Sequence, residues 1–186
     1  MSILTKQALA ESLRKLLQNK PLNQITIKDI TSDCGVNRQT FYYHFQDVYD
    51  LLFWTMEKGI RECFEGGEIP LERPMEVVRT IFTFFKENER AVRHAYDPIN
   101  RIQYETLIKQ NIEPMVRLLF LSCERAQELP EDDLSFLVSF YTYSLGGFFI
   151  RWIEEGMPDE FHAQLDKFFI LMNNSIPLLI DKFLNP

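Results

Sequence analysis

The sequence predicts an all-α fold: an amino-terminal three-helix head containing a helix-turn-helix, residues 1–46, joined to a carboxy-terminal helical bundle body, residues 47–186. Three observations predict it. Every long apolar pattern fits the 3.6-residue repeat, and no alternating period-two stretch of convincing length occurs. A single glycine, Gly35, separates two short helical patterns near the amino terminus. The 186 residues are 46% hydrophobic and 13% aromatic, with 16 Phe, which supplies an ample core and lies far from a disordered composition.

The first helix is expected from about Leu4 to Asn19, with Leu9, Leu13, Leu16 and Leu17 as its buried stripe and Pro21 as its stop. Thr26 and Asp29 make a capping-box-like start for the second, the aspartate standing in for the commoner glutamate. Ile27 and Ile30 line one face, and Cys34 continues it into the turn. Gly35 takes the left-handed conformation that ends the helix, and Val36 plugs the angle between two crossing helices. Asn37 caps a third helix, Arg38-Gln39-Thr40-Phe41-Tyr42-Tyr43-His44-Phe45, in which Phe41 and Phe45, four apart, face inward while the rest point toward something polar. A fourth helix, about Asp47 to Glu65, carries Leu51, Leu52, Met56, Ile60 and Phe64 and ends at Gly66-Gly67. The body follows with helices of about 74–88, 89–96, 100–127, 131–155 and 158–184; Pro114 and Pro177 should each kink or divide the helix that holds them. Acids at 131–133 and 159–160, with Pro130 and Pro158, suit helix starts.

An exposed polar face on the second helix of a helix-turn-helix suits double-stranded DNA. Arg38, Gln39 and Thr40 occupy the first turn, which enters a major groove, and are the base-reading candidates: arginine pairs with guanine, glutamine with adenine, and threonine touches a thymine methyl or donates to a base edge. Tyr42, Tyr43 and His44 can donate to phosphate oxygens, as can Lys28 and the Thr26 hydroxyl at the start of the preceding helix. Each has a plainer alternative: Tyr42 as a core aromatic, Thr26 as a cap only, His44 as an ordinary histidine. Lys6, Arg14, Lys15 and Lys20 read as a solvated face adding general attraction. The net charge of −7 does not oppose this. Residues 1–46 hold six Lys or Arg against three acids, a net of +3, which leaves −10 on the remainder. A basic head on an acidic body lets one face meet phosphates while the body stays off the DNA.

The run from Gly35 to Phe45, with its Tyr-Tyr-His-Phe block and the following Leu51 and Leu52, resembles the DNA-binding signature of the TetR family of bacterial regulators. The likeness spans the first quarter to third of the chain and supports Tyr42 and His44 as phosphate contacts. It has one departure. Val48 stands where members of the family often carry a lysine, which puts one expected phosphate contact in question. The carboxy-terminal half is somewhat similar to regulators of dihydroxyacetone kinase operons, among which activation is as open as repression.

The resemblance implies a homodimer on a palindromic operator, because two recognition helices must meet half-sites about one turn of DNA, ~34–36 Å, or a multiple of it apart. The segment from Phe140 to Ile153 contains Gly146 and Gly147, which cost about 1 kcal/mol each in a helix interior and so suggest a close approach of another helix. With the final helix it looks like the pair that builds the family's four-helix dimer interface. The expected interface residues are Tyr141, Leu145, Gly146, Phe149, Phe168, Met172, Ile176 and Leu179; the alternative is an intramolecular crossing. The family also usually binds an effector, a small molecule or a protein. Phe82, Phe85, Tyr104, Met115 and Tyr143 are the pocket candidates, although core packing explains them equally. Arg93, His94 and Arg101 fit an anionic ligand, with solvated charge as the default. In the resulting mechanism, an effector tilts the fourth helix, changes the spacing of the heads and so changes operator affinity.

Catalytic chemistry finds little support. His44, His94 and His162 show no metal-ligand spacing with one another or with cysteine, and no glycine loop suited to phosphate appears, so neither metal nor cofactor is expected. Cys34, Cys63 and Cys123, odd in number and widely spaced, read as reduced packing residues. No signal-peptide pattern or membrane-length apolar run occurs, so a cytoplasmic protein is expected. The rival reading is a helical ligand-binding or adaptor dimer that no longer binds DNA specifically.

Overall fold

The computed structural model describes residues 3–70, 73–96 and 101–185. Among the described residues nine α-helices run in chain order: α1 (Ile3–Leu17), α2 (Ile27–Asp33), α3 (Arg38–His44), α4 (Val48–Glu62), α5 (Pro74–Glu87), α6 (Glu89–Ala95), α7 (Arg101–Leu121), α8 (Glu131–Glu154) and α9 (Phe161–Leu184). No strand occurs among the described residues. The all-α expectation holds for the described residues.

The predicted caps are present where they matter most. The Thr26 side chain accepts from the Asp29 amide while Asp29 accepts from the Thr26 amide, completing a capping box at α2. Gly35 has φ of 72°, and the Val36 amide reaches back to the Thr31 carbonyl at 3.0 Å, the closing bond of a Schellman turn. Asn37 Oδ1 accepts from the Thr40 amide at 2.8 Å and starts α3. Asp47 does the same for α4, accepting from Tyr49 and Asp50.

Some boundaries differ from expectation. The helix expected to run to Gln127 stops at Leu121 and a 3-10 turn, Glu124–Glu128, follows; that turn carries Ala126 to complete burial. The expected start at Asn100 lies outside the described residues. Pro114 and Pro177 sit inside continuous helices, so neither divides its element. Each removes one amide donor, which the bonds on either side outweigh.

Two compact units are present, residues 1–69 with 80–100 and residues 70–79 with 101–186. Helix α5 contributes to both. In the first, Leu9, Leu13, Ile30, Phe41 and Leu51 are fully buried, and the Ser12 hydroxyl donates to the Ile30 carbonyl at 3.0 Å, tying α1 to α2. Val48 packs half-buried against this cluster. Gly59 lets α4 lie close to α5: a Cβ there would stand 2.5 Å from Phe84 Cζ. The second unit is built on Val116 and Phe120 of α7, Leu137, Val138 and Tyr141 of α8, and Leu165, Met172 and Ile180 of α9. Between α8 and α9 the chain turns at Gly156, φ 86°, and the buried Trp152 donates its indole N–H to the Pro158 carbonyl at 3.1 Å.

Candidate nucleic-acid interface

Helix α3 hides one side chain. Phe41 is fully buried and Phe45, its C-cap, is 3% exposed, so the helix is held to the core by the pair predicted for that purpose. The remaining face points outward. Arg38 and Gln39 are exposed in the first turn, and Tyr42 and Tyr43 are 61% and 77% exposed. That exposure removes the core reading of Tyr42, whose ring only touches Phe41 edge-on. His44 is half-buried and meets Tyr43 edge-on at 4.9 Å between ring centroids. Thr40 is more constrained. Its hydroxyl and amide both engage Asn37 Oδ1, leaving its methyl and hydroxyl lone pairs for a base edge.

At the start of α2, Lys28 is exposed, whereas the Thr26 hydroxyl already donates to Asp29 Oδ2 at 2.9 Å while accepting from the Asp29 amide. Thr26 therefore caps first, and a phosphate would have to take its proton from Asp29. The Thr26 amide, aided by Lys20, holds the Asp29 carboxyl at a pKa of about 2, and the Lys15 ammonium lowers that of Asp33.

The cations of the head divide sharply. Lys15 pairs with Asp33, Lys20 with Asp29 at 3.0 Å, and Arg14 with Glu11. Lys6 lies over the Phe45 and Trp54 rings, 5.3 and 5.8 Å from their centroids. Among the described residues, only Lys28 and Arg38 of these six carry no partner. They are the two cations that stand at the start of α2 and in the first turn of α3. Of the general basic face expected from Lys6, Arg14, Lys15 and Lys20, the last three are thus paired with acids of the chain, while Lys6 keeps its charge over two rings. Sequence could not show this, because Lys15 and Asp33 are 18 residues apart.

Comparison with known families agrees with this geometry. The profile described as "Bacterial regulatory proteins, tetR family" matches residues 9–53, and that described as "Transcriptional regulator C-terminal region", a TetR carboxy-terminal type, matches residues 72–174, more than half of the chain. The chain belongs to the TetR family of transcriptional regulators. As a TetR-family member it is a DNA-binding transcription factor and not an enzyme. This regulator is 36% identical over 66 residues to the "HTH-type dhaKLM operon transcriptional activator DhaS" of Lactococcus lactis subsp. lactis, a match covering 36% of the chain and 35% of that relative. The aligned part is thus about a third of the curated relative. A solved structure of "Dihydroxyacetone kinase operon activator DhaS" shares the fold, with a TM-score of 0.60 at 19% identity over 95% of this chain and 98% of that one.

In the regulator's second unit the expected interface residues are mostly inside. Tyr141, Leu145, Gly146, Phe168, Met172 and Ile176 are buried in the chain's own core, and Phe149 and Leu179 are half-buried. They point inward because α8 and α9 must first bury a face against their own unit. The exposed apolar residues form another stripe: Phe136, Phe140 and Tyr143 on α8, and Ile170, Leu171 and Leu178 on α9, all 55–62% exposed. Gly147 continues the α8 stripe, and a Cβ there would have no heavy atom within 4 Å. The pocket candidates fall in both units. Phe82 and Phe85 are buried in the first unit and Met115 in the second, Tyr143 lies 55% exposed on the outer stripe, and the Tyr104 side chain is outside the described residues. Of the cysteines, Cys34 and Cys123 are half-buried, whereas Cys63 is exposed. Among the described residues no helix is long and apolar enough to cross a membrane.

Proposed function

We propose that this regulator binds a palindromic operator as a homodimer, with residues 1–46 reading DNA and residues 47–186 providing dimerisation and the response to an effector. Arg38, Gln39 and Thr40 read bases. Lys28, Tyr42, Tyr43 and His44 hold phosphates, and Thr26 supports them by capping α2. The observation that carries this reading is the position of the two unpartnered cations of the head, Lys28 and Arg38, beside an exposed polar face on α3. Val48 turns toward the apolar cluster, so phosphate binding rests on fewer ammonium groups than the family pattern provides.

The second copy packs on the outer stripe of α8 and α9. Gly147 supports this choice: it forgoes about 1 kcal/mol of helix propensity, and nothing within its own chain approaches it closely. The names of the relatives, both activators of a dihydroxyacetone kinase operon, support an operon of that class as the target and activation as the mode. A small-molecule or protein effector would act by tilting α4 and so altering the spacing of the two heads.

The test is fluorescence anisotropy of the full chain on duplexes from the region upstream of its own gene, with shuffled duplexes as competitors, across a salt series. Specific retention at near-physiological salt, with a Kd lower by a factor of ~10³ or more than that for shuffled sequence, is expected. Equal affinity for both duplexes would instead favour an adaptor dimer that has lost specific reading.

A further inference from the structure

Helix α6 carries a cleft that DNA reading does not use. Glu89, Arg90, Arg93 and His94 line an open cavity of about 540 Å³ within the first unit. Its single carboxylate is already engaged: Lys86 binds Glu89 at 3.0 Å, while Arg93 stands farther off at 3.6 Å. Arg90, one turn earlier on the same face, is exposed and has no hydrogen-bond or ion-pair partner among the described residues. Like charges at this spacing repel by a few tenths of a kcal/mol on a helix. The helix dipole accounts for Arg93 and His94, which lie in the last turn of α6, but not for Arg90.

His94 is fixed in a way that matters to a ligand. Its Nδ1 donates to the Leu17 carbonyl at 2.6 Å, in the last turn of α1. The other ring nitrogen, Nε2, is thereby left as the one open to a ligand in the cleft that His94 lines. Two guanidiniums with fork geometry make a donor set suited to a tetrahedral dianion, with the His94 ring beside them.

We infer that this cleft binds a phosphate dianion, free or as the head of a small phosphate monoester, through Arg90 and Arg93, beside His94. The same imidazole holds the end of α1, which supplies much of the head's core, so occupancy of the cleft bears directly on the DNA-reading unit. The site is independent of the operator reading, because it is measured without DNA.

The experiment is thermal unfolding and calorimetric titration of the full chain with inorganic phosphate, at ionic strength held constant with chloride. A saturable rise in Tm is expected, with Arg90→Gln and Arg93→Gln each weakening binding about tenfold or more. Arg151→Gln, an exposed arginine on α8 paired with Glu155, serves as the control and should bind phosphate as the unaltered chain does. Glycerol phosphate in place of inorganic phosphate separates the two sources: tighter binding assigns the site to a monoester, equal binding to the free ion. No saturable rise, or the same rise in the Arg90 and Arg93 variants as in the control, overturns the proposal.

Discussion

Lys28 and Arg38 differ from the other cations of the head in having neither a carboxylate nor a ring beside them. Their roles should separate in binding measurements. Arg38→Ala is expected to cost about 1–3 kcal/mol and relax preference at one operator position, whereas Lys28→Ala should weaken all duplexes alike and flatten the salt slope by about one unit per head. Identical behaviour of the two variants in anisotropy titrations would sink the division into readers and positioners. Asp29 makes a different prediction. Its folded pKa, about 2, lies below the value of 3.8 for an unperturbed carboxyl, chiefly because the Thr26 amide donates to it. A depressed carboxylate stabilises the fold above the unfolded pKa, and that contribution is lost as pH falls through 3.8 toward 2. The Tm advantage of the chain over Asp29→Asn should therefore hold at neutral pH and shrink across that acid window. An advantage that does not change with pH would show that the cap works without its charge.

At the scale of elements, α4 and α5 meet closely where Phe84 lies against Gly59. Gly59→Ala gains about 1 kcal/mol of helix propensity but drives a Cβ to 2.5 Å from the Phe84 ring, and overpacking typically costs about 1–3 kcal/mol. The clash should win, lowering stability by up to about 2 kcal/mol in urea unfolding. Phe84→Leu should restore much of it, because the obstructing ring is gone. If the two substitutions add without coupling, the close approach is not the cause. The capped turn between α2 and α3 was legible in sequence because its signals are local: Thr26 with Asp29, Gly35, and Asn37 each act on amides within four residues. The joint at Gly59 was not, since Phe84 lies 25 positions away. The break of α7 at Leu121 was hidden for the same reason: the helical apolar pattern runs on to Gln127, and only packing draws Ala126 inward.

For the whole molecule, the proposed dimer rests on the outer stripe of α8 and α9. Phe140→Asp or Leu171→Asp should shift the chain from dimer to monomer in sedimentation equilibrium while leaving helicity intact, since both side chains are more than half exposed. Gly147→Leu should do the same, because a Cβ there meets no heavy atom of another element within 4 Å among the described residues, and the longer side chain would stand in the way of a second copy. By contrast, Leu145→Ala should cost about 2–5 kcal/mol of stability, as deletion of a buried leucine does, whatever the oligomeric state. A monomeric native chain would overturn the dimer, and dimers that survive all three stripe substitutions would move the interface elsewhere.

The sequence by itself determined the helical class, the capped helix-turn-helix, the two inward phenylalanines of α3 and the polar residues opposite them. Those features depend on spacing and on side chains acting on neighbouring backbone, and both are written in the order of residues. The tertiary structure alone decided which cations remain available to DNA, because Lys15 and Lys20 are neutralised by acids brought to them by folding. It also decided which apolar stripe of α8 and α9 lies outside. A helix rich in apolar residues all round has two candidate faces, and only the packing of its own unit determines which is buried first.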